Sequence, residues 1–294
     1  MSMKQAEGRR SRTATPAEDV AVERRGSTLV LTLARPDRRN SLSESMLDAL
    51  HQAIAGAAQD GSVRAVVIAA KGTAFSAGHD LKELTQRRSD ADGGRAYYAM
   101  IMHRCADMMQ AIVRCPKPVI AAVQGTATAA GCQLVATCDL AVASEQASFA
   151  TPGVNIGLFC STPMVALSRN VPRKRAMEML LLGEMLLAQQ AAEYGLVNRV
   201  VPADRVMDEA LCLAALIASK PAATLATGKE AFYAQAEMTL AEAYDYASGV
   251  MVANMLHAEA KEGIGAFIDK RPPVWPQIGA QAGPKVRPKI GTKG

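Results

Sequence analysis

The stretch from Pro118 to Leu158, PVIAAVQGTATAAGCQLVATCDLAVASEQASFATPGVNIGL, limits the possible folds more than any other part of the chain. It opens with an apolar run, Val119 to Val123, of the kind shown by a strand buried on both faces. Gln124 and Gly125 break the run. Seven residues with small side chains follow, Gly125 to Gly131, and then Cys132, Gln133 and Leu134. A second buried strand is expected at Asp139 to Ala143, and the chain then reaches Phe149-Ala150-Thr151-Pro152-Gly153. Small residues let the backbone approach a ligand, and an opening helix turn leaves N–H groups unpaired. A thioester oxygen could sit against such groups. The same pattern also fits a strand–helix–strand unit whose small residues only permit tight packing, and this stretch alone weighs the two readings equally.

Elsewhere the hydrophobic pattern gives an order of elements. Val20–Arg24 and Ser27–Leu33 read as a hairpin around Arg25-Gly26. Ser43 is placed to cap a helix from about Glu44 to Gln59, with Met46, Leu47, Leu50 and Ile54 on one face. Ala65 to Ala70 reads as a buried strand. Phe75-Ser76-Ala77-Gly78-His79-Asp80 runs from a strand end into a helix start. Arg87 to Arg95 reads as a mobile loop, and a helix is expected from about Ala96 to Arg114. Beyond Gly157 the pattern is helical at 163–170, 174–182, 188–194, 204–219, 222–236, 240–259 and 261–269, with Leu196–Val201 as the single strand. Strands alternating with helices, followed by helices alone, suggest an α/β core and a helical C-terminal region.

Composition narrows the function classes. Among 294 residues, 49% are hydrophobic but only 4% aromatic, so the core must be built from small and aliphatic side chains. The net charge of +5 comes partly from the two ends, which hold Arg9, Arg10, Arg12, Lys285, Arg287, Lys289 and Lys293. That distribution fits solvated tails better than a nucleic-acid face. Residues 1–19 and 276–294 are expected to be disordered, 20–200 to form the core, and 201–275 the helical region. The six cysteines, Cys105, Cys115, Cys132, Cys138, Cys160 and Cys212, show no paired CxxC spacing and read as free thiols. No run is long enough to span a membrane, and no secretory signal is visible. A cytoplasmic protein is expected, or one of an organellar matrix in a eukaryote. No metal-ligand spacing is present.

Four motifs in order carry a family resemblance: Arg35-Pro-Asp-Arg-Arg-Asn-Ser-Leu42, Phe75-Ser-Ala-Gly-His-Asp-Leu-Lys82, the run from Pro118 to Ala143, and Ala192-Glu-Tyr-Gly-Leu-Val-Asn-Arg-Val-Val-Pro202. A C-terminal segment, Gly263-Ile-Gly-Ala-Phe-Ile-Asp-Lys-Arg271, adds to them. Over roughly residues 20–275 the chain resembles the enoyl-CoA hydratase/isomerase family, the crotonase superfamily. The resemblance implies an α/β fold, a crotonase-like spiral of ββα units with a helical C-terminal trimerisation region, giving a homotrimer or a dimer of trimers. It implies a lyase or isomerase of fatty-acid chemistry that takes a coenzyme A thioester as substrate, with no tightly bound cofactor. An oxyanion hole of two backbone N–H groups then falls on His79 and Ala130. Coenzyme A contacts fall on Arg38, Arg39, Asn40, Ala77, Asp80, Leu81 and Lys82, while Phe267 and Lys270 would reach the coenzyme A of a neighbouring subunit. His79 is unusual at a position that is small in most relatives, and it reads either as a rim residue or as an acid or base in the pocket.

The chain departs from the family at the positions of its two catalytic glutamates, which hold Gln133 and Gly153. Glutamine takes no proton at neutral pH and glycine has no side chain, so the paired-carboxylate chemistry is absent. Gln133 either orients a water or carbonyl or is a satisfied polar group on the pocket wall. Restoring both glutamates should regain some hydration, unless Gly153 has a positive φ that a side chain would strain. Three function classes remain open: an acyl-CoA enzyme with other than hydratase chemistry, a non-catalytic acyl-CoA sensor or assembly protein, and a nucleic-acid binder. The third lacks a basic run with interleaved aromatics. A serine protease finds no assignable His–Asp partners for Ser76 or Ser161.

Overall fold

The computed structural model describes residues 19–276, so the expected tails lie almost wholly outside the described residues. The chain begins with a hairpin, β1 (Val20–Arg25) and β2 (Thr28–Leu33), turned at Gly26 with φ +60. Helix α1 (Glu44–Gln59) follows, and the Ser43 hydroxyl accepts the Met46 N–H at 3.2 Å as its cap. Then come β3 (Ala65–Ala70), the short β4 (Ala74–Ser76), α2 (Leu81–Gln86) and α3 (Arg95–Arg114). The segment expected as a loop between the two helices holds a 3-10 turn, Arg87–Ser89. The chain continues through β5 (Val119–Val123), β6 (Thr126–Thr128), α4 (Ala130–Thr137), β7 (Leu140–Ser144) and β8 (Ser148–Ala150). A 3-10 turn at Pro152–Ile156 leads to α5 (Pro163–Asn170), α6 (Arg173–Leu182), β9 (Leu186–Leu187), α7 (Ala188–Glu193) and β10 (Arg199–Val201). The last helices are α8 (Val206–Ala218), α9 (Ala222–Gln235), α10 (Leu240–Met255) and α11 (Ala258–Ile268).

The strands divide between two sheets. The larger has the order β1-β2-β3-β5-β7-β10, parallel except at the β1–β2 hairpin. The smaller has the order β4-β6-β8-β9, parallel except at β8–β9. Each long strand β3, β5 and β7 is therefore followed by a short strand that crosses to the second sheet, and then by helix. That repetition is a spiral of ββα units. It explains the unbroken apolar runs at 65–70 and 119–123, because both faces of the large sheet are covered. On one face, Leu31, Ile68, Val119 and Ala121 pack with α1 and α3. On the other, Val30, Val67, Ile120 and Val142 pack with Val206, Ala210 and Leu213 of α8. The fully buried aromatics are Phe75 and Phe149, one on each of two short strands, which anchor the smaller sheet.

Three expectations about the elements are corrected. Strands β6 (Thr-Ala-Thr) and β8 (Ser-Phe-Ala) were not expected, because three residues are too few to show a periodic pattern. The strand expected at Leu196–Val201 is confined to Arg199–Val201, and β9 is a further strand among the late helices. The helix expected at 240–259 breaks at Leu256 and His257, where the His257 ring accepts the Glu259 N–H at 3.4 Å and caps α11.

The helices after α8 are attached differently. No residue of α9 or α10 is buried. Lys229 of α9 reaches into the core, where its ammonium donates to Asp139 Oδ2 at 2.6 Å, the Ile112 carbonyl at 3.0 Å and the Lys117 carbonyl at 3.1 Å. The Tyr233 hydroxyl donates to Asp139 Oδ1 at 2.9 Å. Buried Glu259 of α11 accepts the Ala223 and Thr224 N–H groups and so caps α9.

Candidate active site

Two turns meet where a strand of the small sheet gives way to a helix. In the first, between β4 and α2, the Ala77 N–H is taken by the Arg39 carbonyl and the Leu42 N–H by the Gly78 carbonyl. Asp80 caps α2 by accepting the Lys82 and Glu83 N–H groups. The His79 N–H has no acceptor among the described residues. In the second, between β6 and α4, the Ala129 N–H is held by the Ala150 carbonyl at 2.9 Å. Ala130 is the first residue of α4, so its N–H has no acceptor within the helix. Ala129 adopts φ 50, ψ −120, a region that costs a non-glycine residue about 1–3 kcal/mol.

Two glycines allow the turns to interlock. A Cβ on Gly78 would stand 2.9 Å from Ala129 Cβ and 3.1 Å from the Ala130 nitrogen. A Cβ on Gly131 would stand 2.2 Å from the Ser76 carbonyl oxygen. The two backbones are therefore in direct contact beside the two free N–H groups. Fixed, unpaired backbone donors are the kind of group that can receive a developing oxyanion.

Gln133 lies one turn further along α4, only 5% exposed, and its Oε1 has no hydrogen-bond partner. The turn after β8 is tied to the start of α4 by the hydrogen bond from the Ala129 N–H to the Ala150 carbonyl. Thr151 there is 1% exposed, and its Oγ1 is likewise without a partner. Gly153 is not among the positive-φ glycines, so the strain envisaged at this position is not the obstacle to a side chain there. The obstacle is space: a Cβ at 153 would lie 2.5 Å from the Leu158 carbonyl oxygen and 2.9 Å from Cys160 Sγ. The volume into which a glutamate would grow is filled by backbone and a thiol. Burial pushes the Cys132 thiol up to about 12 and raises Cys160 as well, the Gly153 N–H opposing the latter. Neither is a ready nucleophile.

The His79 ring stands beside these turns with both nitrogens buried and unpartnered. Desolvation pulls its pKa below the ordinary value; the Leu42 backbone, close to the ring but outside hydrogen-bond geometry, opposes this. Burial thus favours the neutral form of the ring.

The residues mapped as coenzyme A contacts separate into two groups. Arg38, Arg39, Ala77, Leu81 and Lys82 are exposed. The side chains of Asn40 and Asp80 are engaged by the protein itself. Asn40 is fully buried; its Oδ1 accepts the Arg35 N–H, and its Nδ2 donates to the Lys71 and Ala74 carbonyls at 2.8 Å each. Asp80, besides capping α2, accepts the Ser41 hydroxyl at 3.2 Å and pairs with Arg38 at 3.6 Å. These two residues shape the loop. Phe267 is 84% exposed and Lys270 is also exposed, so neither serves this chain's own core. Sequence reasoning missed Thr151 and the crowding by Leu158 and Cys160; the only signal for Thr151 was its place two residues before Gly153. Among the described residues, no group of three or more His, Cys, Asp or Glu side chains could hold a metal, and no single helix is long and apolar enough to cross a membrane.

The spiral of ββα units thus places two unpaired backbone N–H groups on interlocked turns. The sequence profile described as enoyl-CoA hydratase/isomerase matches residues 23–278, and the chain belongs to that family. It is similar to enoyl-CoA hydratase domain-containing protein 3, mitochondrial, of Rattus norvegicus, with 49% identity over 83% of this chain and 80% of the relative. Among solved structures, human enoyl-CoA hydratase domain-containing protein 3 superposes with a TM-score of 0.83 at 46% identity, covering 87% of this chain and all of that one (100%). A Mycobacterium smegmatis enoyl-CoA hydratase gives the same TM-score, 0.83, at 52% identity, covering 87% of this chain and 98% of that one.

Proposed function

We propose that the protein binds an acyl-CoA thioester and polarises its carbonyl between the N–H groups of His79 and Ala130, as an enzyme of the family whose chemistry is not ordinary hydration. The observation that carries this reading is the combination at one place of an intact donor pair and absent carboxylates. The donors are backbone groups, so they do not depend on the side chains that have changed. Gln133 holds one of the glutamate positions without basicity, and the other, Gly153, is closed by Leu158 and Cys160. Enolate stabilisation survives in such a site while general acid–base transfer by carboxylates does not. Isomerisation, decarboxylation and thioester hydrolysis all use a polarised thioester.

The coenzyme A moiety is placed against Arg38, Arg39, Ala77, Leu81 and Lys82, with Lys82 near a phosphate. The backbone of the Asn40 and Asp80 loops completes that contact. Phe267 and Lys270 are assigned to the ligand of a neighbouring subunit, which makes the self-associating unit a trimer or a dimer of trimers through residues 201–275. No tightly bound cofactor is assigned.

Calorimetry with acetyl-, crotonoyl- and longer acyl-CoAs tests the reading. Heat of binding at or below millimolar ligand is expected, and none for any of them would overturn it. A second reading, a non-catalytic acyl-CoA sensor, is favoured by the same loss of carboxylates. Turnover across an acyl-CoA panel separates the two.

A further inference from the structure

Helix α11 is held to the rest of the chain by its two ends rather than by an apolar face. Only Glu259 and Ala266 of the helix are buried, and Ile264, Phe267 and Ile268 are exposed. At its start, Glu259 caps α9. At its end the chain reverses. Lys270 adopts φ 52; the Arg271 N–H bonds the Ala266 carbonyl at 3.0 Å, and the Lys270 N–H bonds the Phe267 carbonyl at 3.3 Å. These two bonds make a helix stop that usually has glycine at the position of Lys270, because a side chain is strained at positive φ. A lysine persists there only where the segment beyond it is fixed.

That segment runs back along α11. The Arg271 guanidinium donates to both Glu262 oxygens, at 2.7 and 3.0 Å, and the Val274 N–H donates to Glu262 Oε1 at 2.7 Å. Trp275 then bridges two helices. Its Nε1–H donates at 2.9 Å to the carbonyl of Ser219, the residue that ends α8. Its ring lies on Gly263 of α11, where a Cβ would stand 3.1 Å from Cζ3 and 3.2 Å from Cη2. Helix α8 is itself packed on the large sheet through Val206, Ala210 and Leu213. The indole thus ties α11 directly to the core, without passing through α9 or α10, which bury no residue. The Arg271–Glu262 pair is partly exposed, and pairs of that kind contribute little in water. Trp275 is therefore the contact that holds the reversal in place.

We infer that residues 270–275 form a clasp closing α11 onto the end of α8, and that Trp275 is through it a positioning residue for Phe267 and Lys270. The clasp stands on these contacts alone. The positioning role rests on the acyl-CoA reading above, in which Phe267 and Lys270 meet the ligand of a neighbouring subunit. A binding group fixed in advance loses less freedom when its ligand arrives.

Hydrogen exchange of the full chain tests the clasp, with two glycines of α11 as an internal comparison. A Cβ at Gly265 meets nothing within 4 Å, whereas one at Gly263 meets the indole. Gly265→Ala is expected to slow exchange in α11 by about fivefold, the gain in helix propensity, and Gly263→Ala is expected not to slow it. Trp275→Ala is expected to speed exchange in α11 by about tenfold and to leave β3 unchanged. Trp275→Phe, which keeps a ring on Gly263 and loses the N–H, should fall between. Equal slowing by the two glycine substitutions, or unchanged α11 exchange in Trp275→Ala, would overturn the clasp. The glycine comparison decides this even where Trp275→Ala does not fold.

Calorimetry with crotonoyl-CoA tests the positioning role. The double change Phe267→Ala with Lys270→Ala is expected to weaken binding by about tenfold in the wild type, and by less than about threefold in Trp275→Phe, because the two contacts are already misplaced there. Equal losses in the two backgrounds would overturn the positioning role while leaving the clasp and the acyl-CoA reading in place. No binding to the wild type would overturn the acyl-CoA reading and the positioning role together, and the clasp would stand or fall on exchange.

Discussion

Gly153, proposed above as the position of a family glutamate, is crowded as well as lacking a side chain. The sequence says only that a carboxylate is missing there, and a missing carboxylate could in principle be put back. The structure shows that the space has also gone, with the Leu158 carbonyl 2.5 Å from a new Cβ. Gly153→Ala is therefore expected to destabilise the protein by about 1–3 kcal/mol, the usual cost of overpacking, read as a lower urea midpoint at unchanged slope. By the same argument, Gln133→Glu with Gly153→Glu is expected to restore no hydration; activity above wild type in the double variant would contradict this. His79 gives a second residue-scale expectation. Its folded pKa is depressed by burial, so between that value and the unfolded one, about 6.5, the unfolded chain binds more protons. The contribution to stability is intact above pH about 6.5 and is lost progressively as pH falls towards the lowered value. Denaturation between pH 5 and 7 should show a shallower acid decline in His79→Gln than in wild type, and parallel profiles would contradict the assignment. These two residues also mark the limit of the sequence. Identity at a position was readable, but the neighbours that filled the space at Gly153 and left His79 unpartnered came from other parts of the chain.

At the scale of elements, long apolar runs and capping residues were readable and short strands were not. Ala65–Ala70 and Val119–Val123 fall where the pattern placed them, and Ser43 caps α1, because burial on both faces and a cap are local in sequence. Strands β6 and β8 exist only because β4 pairs with β6 and β6 with β8, which is information about distant residues. The attachment of α9 is of the same kind. Lys229 carries no signal of its own in the sequence, yet its side chain is only 7% exposed and is paired with Asp139 at 2.6 Å. Removing one partner from such a pair costs about 3–5 kcal/mol, because the remaining charge is left uncompensated. Lys229→Met is expected to lose at least the lower part of that range in chemical denaturation. It should also speed amide hydrogen exchange in α9 well beyond exchange in β3. Unchanged protection of α9 would show that the helix is held by something else.

For the whole molecule, the surface of the C-terminal helices sets the expectation. Phe232, Leu240, Tyr244, Met251, Val252, Met255, Leu256, Phe267 and Ile268 are all exposed in the single chain. An apolar area of that extent marks a surface covered by another protein. Light scattering at micromolar concentration is expected to report a trimer or hexamer, and a monomer would contradict the assembly proposed here. The central claim is that the site keeps its oxyanion donors and lacks the proton-transfer groups of a hydratase. It is tested most directly by the hydration rate of crotonoyl-CoA under saturating conditions with purified wild-type protein. General acid–base catalysis typically contributes on the order of 10²–10⁴-fold, so the expected result is saturable binding with turnover at least that far below an ordinary enzyme's. Turnover at roughly 1–10³ s⁻¹, unaffected by Gln133→Ala, would contradict the account.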